Sequence, residues 1–313
     1  MGVWSIAGIC TGLGTGLTSL IGWRSLLGVA EAGGIPATGK AIRLHLRPEE
    51  RAIGTGMNQA ALSLGLIIAP PLTVWIASLS NWRTSFIVTG LLGLLWIPLW
   101  RMVAPPEPNV RESGGFSMPK IARDSRLWRF ASASALSLFL LTLWSNWTIL
   151  MLTDIAGTTL ERAAWLAAIP PLFATAGGLT GGWLSFRLIK AGREPFAARR
   201  LACLIASIGA ISAAGAASVD SDFLMTALIS ASWFFVAAFS VNMYAIPLDV
   251  FDSANAAFAI SALTFAYGIM QAIVSPMIGR AAETVGYAPV CIIAAFTPLA
   301  AWLILQTTAS RAS

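Results

Sequence analysis

The chain has 313 residues, 57% of them hydrophobic and only 11% charged, with 20 basic and 14 acidic side chains and a formal net charge of +6. Soluble domains carry about 25% charged and ~45–50% apolar residues, so a soluble enzyme, a nucleic-acid-binding module and a disordered tail are all excluded. A mean hydropathy of +0.75 agrees. The solvent is lipid, and the surplus of basic residues belongs in loops on one side of a membrane.

A bilayer core takes roughly 20 apolar residues per helix. Ten such stretches follow one another, at 2–22, 23–44, 52–78, 84–103, 128–152, 162–188, 198–217, 223–248, 255–279 and 287–307. The first has no basic start and runs into the next span, so it reads as a membrane helix rather than a removable leader. Short polar breaks separate most spans, such as Arg47-Pro48-Glu49-Glu50-Arg51 and Ser80-Asn81-Trp82-Arg83. The longest break, 104–126, holds Pro105, Pro106, Pro108, Pro119, Gly114 and Gly115. The expected fold is an all-α membrane protein: an incomplete N-terminal bundle of four spans over 1–103, a cytoplasmic linker over 104–126 and a six-span C-terminal bundle over 127–313.

Taking alternate loops in turn, sixteen basic residues gather on one side, whereas Arg83, Arg162 and Arg280 are on the other. The richer side is expected to be cytoplasmic, with both termini on it. A long-range echo is also present. Shifted by 205 residues, Gly56–Phe86 falls on Ser261–Cys291, placing Pro71 on Pro276 and Trp82 on Tyr287. Few residues are identical, so this is either coincidence between apolar helix pairs or a parallel repeat of the kind transporters use. As a repeat, it matches the third and fourth spans before the linker to the fifth and sixth after it, leaving the front short by two.

Nearly all charges fall at loops or helix ends; Arg24 and Glu31 do not. A charge at mid-membrane costs about 2.5–3.5 kcal/mol on the lenient scale and by default marks function. Seven residues make about two helical turns, which puts both side chains on one face. Glu31 is the candidate proton-coupling group, loading and releasing a proton as its surroundings change, and Arg24 a forked donor for a substrate carboxylate. The alternative is a fixed ion pair locking two helices. Asn58, Gln59, Asn146, Tyr244, Tyr267 and Gln271 lie within spans, where each either binds a polyhydroxylated substrate or bonds across helices; Asn242 is similar.

Most tryptophans lie near span ends, in the interfacial belt, while Trp144 and Trp147 lie deeper, and Trp144 joins the substrate-binding candidates. Gly177-Gly178-Leu179-Thr180-Gly181-Gly182 is a packing motif rather than a phosphate loop. Cys10, Cys203 and Cys291 have no disulfide or metal spacing. His45, among basic residues, reads as solvated. No metal or organic cofactor is expected, and no nucleophile–base cluster suggests an enzyme.

The segment Arg24–Pro36, with Pro48-Glu49-Glu50-Arg51, Ile68-Ala69-Pro70-Pro71, Gly181-Gly182-Trp183-Leu184-Ser185, Asp249-Val250-Phe251 and Gly286-Tyr287-Ala288-Pro289, resembles the anion:cation symporter family of the major facilitator superfamily, and within it the hexuronate and sugar-acid (galacturonate, galactonate, glucarate) transporters. The resemblance implies the major facilitator fold of twelve helices, rocker-switch alternating access and symport of an organic anion with protons. It places the coupling glutamate on Glu31, the paired arginine on Arg24 and a substrate-contacting amide on Gln59. It also implies that the family's first two helices are absent. Phe186 stands at an aspartate of the family's gating pattern, and Leu150 and Met151 replace polar or tyrosine positions. The expectation is a monomeric, multi-pass inner-membrane symporter with the proton as coupling ion; the alternative is a truncated, non-transporting remnant or helix-packing partner.

Overall fold

The computed structural model describes residues 1–103 and 121–307, and every regular element among them is helical. In chain order these are α1 (Gly2–Leu13), α2 (Leu17–Glu31), α3 (Gly34–His45), α4 (Arg51–Leu79), α5 (Trp82–Val103), α6 (Ser125–Ser137), α7 (Phe139–Asp154), α8 (Leu160–Ala167), α9 (Pro170–Lys190), α10 (Pro195–Ala210), a 3-10 segment (Ile211–Ser218), α11 (Asp222–Val250), α12 (Ser253–Val285) and α13 (Tyr287–Gln306). Helical backbone is the expected outcome in lipid, where each N–H and C=O must be satisfied inside its own segment.

Local chemistry sets the ends. Asp124, Thr159, Glu194, Ser221 and Asp252 cap helix N-termini by accepting from backbone amides of the first turn, which satisfies donors that have no intrahelical partner. Pro170 and Pro195 occupy first-turn positions, where a missing N–H costs nothing.

Eight helical stretches among the described residues are long and apolar enough to cross a membrane: 51–69, 82–103, 125–154, 160–190, 195–218, 222–250, 255–285 and 287–306. They match the last eight expected spans. The first two, expected at 2–22 and 23–44, are partitioned differently, as α1, α2 and α3. Gly14 is extended at the end of α1 and Gly16 extended before α2, so the boundary falls among these glycines rather than at residue 22. A second break at 32–33, directly after Glu31, separates α2 from α3.

The 205-residue shift extends further than the sequence echo suggested. It carries Leu17–His45, the extent of α2 and α3, onto Asp222–Val250, the extent of α11, and Trp82 onto Tyr287, the first residues of α5 and α13. The corresponding span is continuous in α11 and interrupted after Glu31 in the first copy.

The chain forms two compact units, one of residues 1–38 and 64–111, the other of 39–63 and 112–313. The division differs from the expected boundary near 104–126 in assigning 39–63 to the later unit, and most of that linker, 104–120, lies outside the described residues.

In the first unit α1 lies against α5 through small residues. A methyl group at Gly90 would come within 2.7 Å of the Ser5 carbonyl oxygen. Arg83 donates to the Gly14 carbonyl (3.2 Å) and Ser85 to that of Thr73 (2.9 Å), tying the start of α5 to its neighbours. Leu91, Leu92, Leu95, Trp96, Leu99 and Trp100 are exposed along α5, the surface a lipid-facing helix presents.

The second unit has two buried apolar clusters. One gathers Leu140, Leu143, Trp144 and Met151 of α7 with Met225, Ile229 and Trp233 of α11 and Cys291 of α13. The other gathers Phe130, Phe239, Met243, Ile246, Phe251 and Leu263. Helix α9 crosses two neighbours at van der Waals limits. A methyl at Gly177 or Gly181 would strike Phe234 or Ala238 backbone of α11; one at Gly182 would lie 2.6 Å from the Ala52 carbonyl oxygen of α4. Gly56 of α4 similarly abuts Gly178. Two small-xxx-small registers, offset by one residue, thus give a single helix two close contacts. That packing is the physical reason residues 39–63 belong to the second unit.

Candidate functional site

The two charges expected within a span, Arg24 and Glu31, lie on α2, whose residues are partly or fully exposed throughout. Glu31 is its last helical residue, followed by the break at 32–33. Arg24 and Glu31 are both exposed. Among the described residues no ion pair joins them; instead the Arg24 guanidinium stacks over the Phe86 ring, 4.9 Å from its centroid. A cation over an aromatic face is worth about 0.5–1 kcal/mol at an exposed site. The arginine therefore has a partner other than the glutamate.

The other candidates belong to the second unit. Asn58 is half-buried in α4, and the side chain of Gln59 lies outside the described residues. Trp144 is 2% exposed and its indole N–H donates to Ser232 Oγ at 2.9 Å, so its polar edge is already satisfied within the core. Asn146, two residues on and so on the opposite face of α7, is exposed, and Gln271 is half-buried. Tyr244 and Tyr267 come together: the Tyr244 hydroxyl shares a 3.4 Å hydrogen bond with Thr264 Oγ1, and the two phenols lie near one another. Ser134 and Thr142 lie beside Tyr244 and Tyr267 respectively, their hydroxyls facing the phenols. A patch of five hydroxyl groups from α6, α7, α11 and α12 results, rich in donors and acceptors with spare capacity. Asn242 is fully buried, donating to the Gly181 and Ala238 carbonyls, and serves the α9–α11 crossing. His45 is exposed at the end of α3, as its basic surroundings suggested.

Sequence reasoning missed the strongest electrostatic feature. Where α11 ends, Asp249 accepts from Arg51 Nη1 at 3.0 Å and from Arg199 Nε. Arg51 also donates to the Leu248 carbonyl (2.9 Å), Arg199 to that of Pro48 (2.9 Å), and Arg43 to that of Leu248. Arg199 is fully buried and Arg51 8% exposed. All three arginines are among the sixteen basic residues of one side, where loop charge conceals pairing. The available signal was Asp249 itself, an acid ending an apolar span on the basic side.

Eight helices long and apolar enough to cross a membrane, packed through close glycine contacts, are the architecture of a polytopic membrane transporter. A Major Facilitator Superfamily profile matches residues 1–275, and the chain belongs to that superfamily. It is 27% identical to the D-galactonate transporter of Escherichia coli O6:H1 over 319 residues, covering 91% of this chain and 73% of the relative. Against the hexuronate transporter of Escherichia coli K12 it is 24% identical over 333 residues, covering 97% of this chain and 76% of the other. Its backbone resembles the E. coli fucose:proton symporter FucP with a TM-score of 0.72 at 16% identity, over 97% of this chain and 80% of that one. The last likeness shows the fold alone.

Proposed function

We propose that the chain is a proton-coupled symporter for a sugar acid or similar organic anion, working by alternating access as a monomer in the inner membrane, with both termini cytoplasmic. The reading is carried by the similarity to D-galactonate and hexuronate transporters along nearly the whole chain, joined to an opposite-charge pair, Arg24 and Glu31, on one membrane helix. In this reading Glu31 carries the proton and Arg24 leaves the Phe86 ring to take the substrate carboxylate through a forked hydrogen bond. In the second unit, Asn58, Gln59, Trp144, Asn146, Tyr244, Tyr267 and Gln271 are the candidates for contacting a polyol substrate. The sixteen-to-three distribution of basic residues supports the orientation.

The test is uptake into proteoliposomes of radiolabelled D-galactonate and D-galacturonate, with and without an inward proton gradient. Accumulation that requires the gradient is expected for at least one. Saturable but gradient-independent uptake would remove the coupling role, and no uptake of either would remove the sugar-acid reading.

A further inference from the structure

The cluster at the end of α11 is unbalanced. Arg43, Arg51 and Arg199 converge there, and Arg51 has Arg43 and Arg199 as charged neighbours with Asp249 as its one carboxylate among the described residues. Three cations face one anion, and the partial negative charge at the α11 C-terminus, roughly half an elementary unit, compensates only part of the difference. Uncompensated buried charge costs several kcal/mol per ion. Hydrogen-bonding capacity is also left over. Among the described residues, Arg199 Nη1 and Arg51 Nε are buried and have no partner, on side chains 0% and 9% exposed. A guanidinium presents five donors in a fixed fork, so idle donors on two buried arginines mark a place for an acceptor. Arg43 is half-buried, so the cluster reaches the surface of the second unit at that residue.

We propose that this cluster binds a phosphoryl oxyanion, seated against Arg43, Arg51 and Arg199 and neutralising their surplus charge. A tetrahedral oxyanion fits because its several oxygens accept from more than one fork at once, and arginine is the residue suited to planar, bidentate recognition of phosphate. The site is distinct from the sugar-acid pathway: its residues lie at the ends of α3 and α11 and the starts of α4 and α10, and none is a substrate candidate. The phosphoryl group can come from free phosphate or from an anionic lipid headgroup at the membrane surface.

The experiment is thermal unfolding of the full chain, measured in two arms. In zwitterionic phosphatidylcholine nanodiscs, inorganic phosphate is titrated at constant ionic strength against chloride. In the second arm, nanodiscs with increasing phosphatidylglycerol are compared with phosphatidylcholine alone. A saturable rise in the midpoint with phosphate supports the site with a soluble ligand; a rise only with phosphatidylglycerol supports it with lipid as the source. In either case Arg43→Gln, at the half-exposed member, is expected to weaken the apparent affinity about tenfold or more, as loss of one charge-assisted donor does, while retaining the ligand-free midpoint within a few degrees. Arg199→Lys, which keeps the charge and loses the fork, is expected to weaken it as well. No shift with either ligand, or a shift equally large in Arg43→Gln and Arg199→Lys, would overturn the proposal. Sugar-acid uptake by the same preparations separates its failure from failure of the transport reading.

Discussion

Replacing Asp249 by Asn removes one charge with almost no change in volume, so no cavity enters the reckoning. The carboxylate serves Arg51 at 3.0 Å and the fully buried Arg199. At 3.0 Å and an effective dielectric of about 20, one such attraction is worth ~5 kcal/mol before desolvation is subtracted. Breaking a buried pair by removing one partner costs about 3–5 kcal/mol, because the remaining charge stays buried. Here two arginines lose their counter-charge together, and the amide nitrogen of Asn would point a donor at donors, so the loss should lie at or above the upper end of that range. Against a total stability of about 5–15 kcal/mol this is a large fraction. Denaturant unfolding in detergent micelles, followed by tryptophan fluorescence, measures it, and the cycle with Arg51→Gln isolates the pair. A loss below about 1 kcal/mol, the value of an exposed ion pair, would refute the claim that this network is buried and holds residues 39–63 against α10 and α11.

Three further outcomes are expected. Gly177→Ala places a methyl group 1.9 Å from the Phe234 carbonyl oxygen and should destabilise by about 1–3 kcal/mol, whereas Gly65→Ala, with nothing within 4 Å, should be neutral or stabilising by ~0.5–1 kcal/mol; comparing the two unfolding midpoints checks it. The Arg126 guanidinium holds the Asp124 carboxyl, which caps α6, below its ordinary value of 3.8. A depressed folded value contributes stability above the ordinary carboxylate range that is lost as pH falls through the lowered one. Asp124→Ala should therefore cost about 0.5–2 kcal/mol at neutral pH, with the gap to the parent chain closing below pH 3.8; a gap constant down to strongly acidic pH would refute the cap's charge dependence. Glu31→Gln should abolish gradient-driven accumulation in proteoliposomes while leaving counterflow exchange measurable, and unchanged accumulation would place proton coupling elsewhere.

Much of the architecture follows from the sequence alone, because lipid imposes one strong rule: long apolar runs must become helices that satisfy their own backbone. The spans from Arg51 onward, the class of protein and the packing role of Gly177–Gly182 were all legible in that way. The candidate site was legible only as isolated residues. Hydropathy put Arg24 and Glu31 within an expected span, but the stacking of Arg24 on Phe86 depends on the tertiary placement of α2 and α5, to which no one-dimensional pattern refers. Trp144 shows the converse: depth in a span made it a candidate, and only the position of Ser232, 88 residues away, shows that its polar edge is occupied.

Tertiary structure likewise decided which charges pair. Arg51 and Arg199 looked like ordinary loop cations of a basic face; Asp249 stands 198 and 50 residues from them, and only folding brings the three together. It also revealed that the 205-residue echo reaches back to Leu17, with one copy interrupted after Glu31. Apolar side chains report their solvent, which is nearly uniform along a membrane chain, so sequence determines the spans. Pairing among the few charges depends on distances of a few ångströms between helix ends, and only the folded chain sets those.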